Sequence, residues 1–254
     1  MKRKNIIITG ASSGLGEGMA IEFAKMGCNL ALCARRMENM EAIRERIIKT
    51  NPNIKIFLRE LDVNNHDQVF EVFKQFKEDF ASLGEKTDRI IVNAGMGKGA
   101  SLGTGFFKQN MMTAQTNFTA ALAQFEAAME IFREQNSGHL VAISSVSAFR
   151  GFKGAANVYA ATKAGLSSLT EGLQVDVMKT PIRVSAIHPG YIQTDIIKKV
   201  KKVPFVISLE KGSKLLVKAI EKEPLDVCVP AWPWTVLRRI FPWMSLKMLR
   251  KMGG

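Results

Sequence analysis

Tyr159 and Lys163 stand four residues apart in Tyr159-Ala160-Ala161-Thr162-Lys163, within a stretch where Leu166, Leu169, Leu173 and Val177 recur at helical spacing. Side chains at i and i+4 share a helix face, so a phenol and an ammonium are set side by side. A neighbouring cation favours the phenolate and draws a tyrosine down from its ordinary value of about 10. That is the chemistry of a proton donor and acceptor. Two further polar groups lie in apolar surroundings: Asn117, a lone amide on a wide apolar stripe, and Ser145, which with Ser144 ends an apolar run thirteen loop residues before Tyr159. A buried amide needs partners, strand-end hydroxyls are common, and many helices carry Tyr and Lys at this spacing. The surrounding elements decide between these readings.

Those elements repeat one pattern: a short β-branched run, then small or polar residues, then a helical stripe. Residues 4–9 run into Gly10-Ala11-Ser12-Ser13-Gly14-Leu15-Gly16, and Met19, Ala20, Phe23 and Ala24 carry a helix toward Gly27. In this GxxxGxG spacing Gly10 permits a tight turn, while Gly14 and Gly16 let the backbone and the helix start approach a pyrophosphate. The strand predicted over 29–33 ends in Ala34-Arg35-Arg36. A binder of NAD usually carries an acid there for the ribose hydroxyls, whereas a guanidinium pair suits the 2′-phosphate of NADP. Strand 54–60 closes on Leu61-Asp62-Val63, where Asp62 either caps the following region or meets an adenine edge. Strand 88–92 ends in Asn93-Ala94-Gly95, small enough for the backbone to run beside a ribose, and residues 95–105 read as a glycine-rich loop.

One long helix is predicted over 113–135, a strand over 138–145, the helix of Tyr159 and Lys163 up to Thr180-Pro181, and a strand over 182–187. Pro189-Gly190-Tyr191-Ile192-Gln193-Thr194 then forms a loop, before a helix near 209–222 and a strand at 226–229. Strands alternating with helices throughout predict an α/β fold with one doubly wound parallel sheet and helices on both faces. Ligands bind such sheets outside the carboxyl ends of the strands, and every polar segment named above falls at such an end.

At 254 residues and 46% hydrophobic content the chain can bury a full core. Cys28, Cys33 and Cys228 are odd in number, lie in apolar contexts and lack CxxC spacing. They predict buried thiols in a reducing compartment, with no disulfide framework and no metal site. Only three isoleucines follow the basic start before Thr9-Gly10. That is too short for the core of a signal peptide, and no run approaches the roughly 20 apolar residues that span a bilayer, so a cytoplasmic location is expected. The net charge of +13 gathers late: from residue 198 onward ten lysines and three arginines face four acids. Charge alone does not make a nucleic-acid binder, and no helix-turn-helix, zinc-finger or stacking-platform signature accompanies it.

With TGASSGLG at 9–16, NAG at 93–95, Asn117, ISS at 143–145, YAATK at 159–163 and PGYIQT at 189–194, the chain resembles the short-chain dehydrogenase/reductase family over residues 4–230. The resemblance implies a single Rossmann-type domain with a seven-stranded parallel sheet, a nicotinamide cofactor, and a homodimer or homotetramer built partly from the two long helices. It further implies that Tyr159 exchanges a proton with a carbonyl or alcohol oxygen. Lys163 would serve both phenol and nicotinamide ribose, Ser145 would hydrogen-bond the substrate oxygen, and Asn117 would anchor a water path for the proton. Two departures stand out. The loop between Ser145 and Tyr159 is one residue longer than the family's usual spacing, which brings Ser147 and Ser144 in as rivals of Ser145, and Lys153 sits where the family often has proline.

Residues 1–230 thus read as an NADP-binding Rossmann domain that includes the catalytic residues, and 231–254 as a basic, Trp-rich extension. All three tryptophans, Trp232, Trp234 and Trp243, fall in this tail among apolar and basic residues with no acid. It suits either an interfacial segment touching a membrane or a strip packed on the sheet edge or a neighbouring subunit. The expected activity is that of an NADP(H)-preferring oxidoreductase on a hydrophobic carbonyl or alcohol. The alternative is an NADP-binding sensor or membrane-associated scaffold without turnover, which would need neither Tyr159 nor Ser145.

Overall fold

Ile6, Ile7 and Ile8 are wholly buried in strand β1 (Asn5–Thr9), the position of a strand covered on both faces. The computed structural model describes residues 3–194 and 204–252. From β1 the chain runs through α1 (Gly14–Lys25), β2 (Asn29–Ala34), α2 (Met37–Thr50), β3 (Ile56–Glu60), α3 (His66–Ser82) and β4 (Arg89–Val92). It continues through α4 (Phe107–Ala114), a π-helical turn (Gln115–Thr119), α5 (Ala120–Glu134), β5 (Gly138–Ile143), α6 (Ala156–Val177), β6 (Ile182–Pro189), α7 (Leu209–Ile220) and β7 (Asp226–Val229). The tail adds α8 (Ala231–Ile240), a 3₁₀ turn (Phe241–Trp243) and α9 (Leu246–Met252).

The seven strands form one sheet in the order β3-β2-β1-β4-β5-β6-β7, parallel throughout. This is the expected Rossmann-type sheet. One apolar layer joins Phe73, Phe76 and Phe80 of α3 to Phe125 and Phe132 of α5; the other joins Met19 and Phe23 of α1 to Ile43 of α2 and Ile220 of α7. The three cysteines are buried thiols, and burial pushes Cys28 up to about 12 and Cys228 to about 11.

At the amino ends of the central strands, away from the glycine turn, Arg89 is wholly buried, its Nε donating to His139 Nδ1 at 2.9 Å and its guanidinium pairing with Glu221. Burial, with the Arg89 charge beside it, holds His139 well below its usual value, so the neutral ring accepts at Nδ1 and donates from Nε2 to Ser185 Oγ at 2.8 Å. This network ties β4, β5, β6 and the end of α7 together below the site.

Three expectations change. The helix predicted over 113–135 is interrupted by the π-helical turn at Gln115–Thr119, for a reason visible in the site. Strand β5 stops at Ile143, because Ser145 caps the 3₁₀ turn Val146–Phe149. Strand β6 extends through His188 and Pro189, which pair with Cys228 and Val229. The tail has a buried side: Trp234 and Phe241 pack with Val146 and Cys228, flanked by Phe149, Phe152, Tyr191, Leu237 and Met244. Among the described residues no helix is long and apolar enough to cross a membrane.

Candidate active site

Gly10 adopts φ of 64°, and a Cβ there would stand 2.9 Å from Ala94 Cα; a Cβ on Gly16 would stand 2.3 Å from Gly10 O. Only glycine closes this turn. Thr9 Oγ1 accepts from the backbone N–H of Asn93 and of Ala94, both at 3.1 Å, while Asn93 Nδ2 donates to Thr9 O at 2.9 Å. The NAG segment is therefore fastened to the end of β1. Ser13 precedes α1 without a side-chain cap, so the first-turn N–H groups of that helix are not claimed by a side chain, the usual condition of an anion-binding helix start. Arg36 spans the same turn, donating to Ser12 Oγ at 3.1 Å and to Ser13 Oγ at 2.8 Å. Arg35 lies open to solvent, 4.0 Å from Asp62. Of the two roles open to Asp62, helix capping falls instead to Asn65, whose side chain accepts from Gln68 N; Asp62 turns back onto Asn64 N.

Ser145 Oγ accepts from Ser147 N at 3.1 Å, and its hydrogen bonding acts on the Tyr159 phenol. Ser144 is engaged elsewhere, its hydroxyl donating to Lys163 O at 3.0 Å and meeting Ser167 Oγ at 2.8 Å. Ser145 is thus the serine presented to Tyr159. The expected effect of Lys163 on the phenol is corrected. Burial pushes Tyr159 above its ordinary value, Ser145 pulls it down, and Lys163 is not among the groups that shift it. Lys163 Nζ instead donates to Ile143 O at 2.8 Å, and burial brings the amine down to about 8.

Asn117 lies behind this group in the π-helical turn, where its amide closes on Met96: Oδ1 accepts from Met96 N at 2.8 Å and Nδ2 donates to Met96 O at 2.9 Å. The wide turn lets the side chain reach the loop after β4, a common use of a π-bulge at a functional site. A Cβ on Gly95 would stand 3.3 Å from Asn117 Oδ1 and 3.6 Å from Lys163 Nζ, so both groups converge on that glycine. A single cleft of about 410 Å³ is lined by the turn residues Gly10, Ser12, Ser13, Gly14 and Leu15, by Arg35 and Arg36, by Asp62 and Val63, by Asn93, Ala94 and Gly95, by Ser145, Tyr159 and Lys163, and by Pro189, Gly190, Ile192 and Thr194. Gly16 and Asn117 do not line it; they support its walls from behind. Lys153 is exposed and away from the cleft. Residues 195–203, which follow the loop at 189–194, lie outside the described residues.

The family model of the short chain dehydrogenases matches residues 4–204. The chain belongs to that family. An "Uncharacterized oxidoreductase" of Mycobacterium tuberculosis is 44% identical over 249 residues, covering 98% of this chain and 97% of its own. A short-chain dehydrogenase from Sphingobium yanoikuyae, solved in complex with NADPH, superposes with a TM-score of 0.80 at 25% identity, over 92% of this chain and 91% of that one. Levodione reductase superposes with a TM-score of 0.71 at 28% identity, over 77% and 74% of the two chains. The protein is an oxidoreductase of the short-chain dehydrogenase family.

This short-chain dehydrogenase holds its serine through residues that sequence reasoning missed. His188 is buried at the end of β6, with Nδ1 at 3.2 Å from Ser145 O and Nε2 at 2.9 Å from Asp226 Oδ2. Burial pushes the Asp226 carboxyl up, but hydrogen bonds and charge from His188 and Arg238 outweigh it and hold the carboxyl below its usual value. Arg238 of α8 forks onto both oxygens of Asp226 and lies over the Phe149 ring at 4.9 Å, while Phe149 packs on His188 at 4.7 Å. Tyr191 meets Trp234 edge-on at 5.1 Å, and a Cβ on Gly190 would stand 2.0 Å from Trp234 Nε1. The longer loop after Ser145 is used here, since Phe149 and Phe152 join the tail in one cluster. His188 beside Pro189-Gly190 was the only local signal; Arg238 had none.

Proposed function

We propose that the protein is an NADP(H)-preferring reductase of hydrophobic ketones or aldehydes, able to run in reverse on the alcohols, with Tyr159 as proton donor and acceptor. The observation that carries the cofactor preference is Arg36 lying across Ser12 and Ser13 with Arg35 beside it, two cations at the end of β2 where a 2′-phosphate would sit. The glycine turn fits a pyrophosphate by the close approach at Gly10 and Gly16 and by the start of α1, which has no side-chain cap. Arg36, Ser12 and Ser13 would hold the phosphate end; Asn93, Ala94, Gly95 and Lys163 would border the nicotinamide ribose, with Pro189 to Thr194 closing the far side. When bound, the nicotinamide supplies hydride to a carbonyl carbon or takes it from an alcohol carbon.

The chain's own part is the proton. Ser145 donates to the substrate oxygen and Tyr159 delivers its phenolic proton to that oxygen as the alcohol forms. Burial keeps the phenol protonated across neutral pH, the form that reduction needs. Lys163, lowered to about 8, would restore that proton, with Asn117 anchoring a water path behind it. Met96 and Met112, which line the cleft, favour an apolar substrate, and exposed Phe118 and Leu122 with Val175 of α6 support a homodimer or homotetramer through α5 and α6. NADPH oxidation followed over ketones and aldehydes of increasing chain length, beside Tyr159→Phe, tests the reading. Loss of turnover by about a hundredfold or more is expected; undiminished turnover in the variant overturns the mechanism.

A further inference from the structure

The tail shows two faces. Trp234, Leu237 and Phe241, at i, i+3 and i+7, turn inward onto the cluster beside Ser145. Trp232, Val236, Ile240 and Trp243 are left outside, with Trp232 74% and Trp243 89% exposed. Leu246 and Met248 of α9 extend the same unpaired apolar surface, being 77% and 53% exposed. Arg239, Lys247 and Arg250 are exposed among these residues and form no ion pair among the described residues. The last acid of the chain is Asp226, which is already engaged by Arg238 and His188. None of the outward residues lines the cleft, so this surface stands apart from the redox reading.

An exposed apolar ridge with cations and no acids asks for a partner that is both apolar and anionic. A second copy of this chain meets that need poorly, since a two-fold contact sets the same patch against itself and brings cations against cations. A bilayer surface meets both needs at once. Tryptophan settles at the headgroup boundary, and anionic lipids attract Arg and Lys. At ten residues α8 is too short to span, and Pro233 and Pro242 break the tail into short pieces, which fits a segment lying in the plane of the surface.

We propose that the outer face of residues 231–250 docks on an anionic lipid bilayer, with Trp232, Ile240 and Trp243 at the headgroup boundary and Arg239, Lys247 and Arg250 on lipid phosphates. Full-length protein is sedimented with phosphatidylcholine vesicles, with and without phosphatidylserine. Partitioning is expected to need phosphatidylserine and to fall as salt rises. The triple variant Arg239→Gln, Lys247→Gln and Arg250→Gln loses about a hundredfold, at roughly fivefold per cation. Trp243→Ser with Ile240→Ser, both at exposed positions, lowers partitioning while circular dichroism and NADPH turnover stay as in the parent. Equal binding to both vesicles without salt dependence overturns the proposal. So does a Trp243→Ser variant that splits an oligomer on size exclusion with lipid binding unchanged, which assigns the face to a second copy.

Discussion

At the glycine-turn end of the cleft, the groups that shape the site come from the carboxyl ends of neighbouring strands: Thr9 Oγ1 accepts from Asn93 N and Ala94 N, and Arg36 bonds Ser12 and Ser13. At the substrate end, Ser145 rests on His188 of β6, then Asp226 of β7, then Arg238 of α8, and Trp234 of the tail presses on Gly190. At the first end Gly10 and Gly16 bring backbone against backbone, at Ala94 Cα and at Gly10 O, with no room to adapt. The second is a relay of side chains whose last member belongs to an appended helix. Damage at the first end should therefore be abrupt and confined to nucleotide binding, and damage at the second graded and felt in turnover.

The largest effect is expected at Gly16, where any Cβ meets Gly10 O at 2.3 Å. Gly16→Ala should cost about 3 kcal/mol, or roughly a hundredfold in NADPH affinity by fluorescence titration. A loss of only a few-fold would mean that the turn adapts, and the contrast between the ends would fail. Next, Arg35→Asp should weaken NADPH by about ten- to a hundredfold and NADH by far less; equal losses would remove the 2′-phosphate reading.

At the other end, Arg238→Met leaves Asp226 with His188 alone. The Arg238 side chain is 41% exposed, which limits the pair to about 1 kcal/mol. The expected outcome is a fall in kcat of about tenfold or less with Kd for NADPH unchanged, partly rescued by Arg238→Lys. An equal fall in NADPH affinity would show that the two ends are not separable.

The last test reads stability rather than turnover, as a pH dependence at the join of the two ends. Lys163 has its ordinary value at 10.5 and falls to about 8 in the fold. Between those values the unfolded chain binds more protons than the folded one, so this residue's contribution to stability rises with pH through the window. Denaturant melts at pH 8 and pH 10 should show that rise in the parent and its absence in Lys163→Met. A Lys163 side-chain titration near 10.5 by NMR would contradict the burial that drives it.

The order of strands and helices, the cysteines as buried thiols, and the gathering of the ends of β1, β2 and β4 around one cleft were legible in the residues. Each depends on a local pattern: a β-branched run, a glycine needed for a turn, a helical stripe. The break at Asn117 was not legible, because a π-helical turn has no residue pattern of its own and is set by what the amide reaches across the fold, here both backbone groups of Met96. The choice among Ser144, Ser145 and Ser147 was not legible either, because β5 ends at Ile143 and the bond of Ser144 to the Lys163 carbonyl is what sets Ser144 apart.

What the sequence by itself determined is the chemistry available: a phenol and an amine one turn apart, a phosphate turn, and two guanidinium groups at a strand end. Helix period and turn stereochemistry are short-range, and so is the information that encodes them. Tertiary structure alone decided that Lys163 spends its ammonium on Ile143 O while burial raises Tyr159, and that a tail arginine braces the serine through Asp226 and His188. Desolvation and long-range hydrogen bonds depend on which distant segments close over a group, and spacing along the chain carries no record of that.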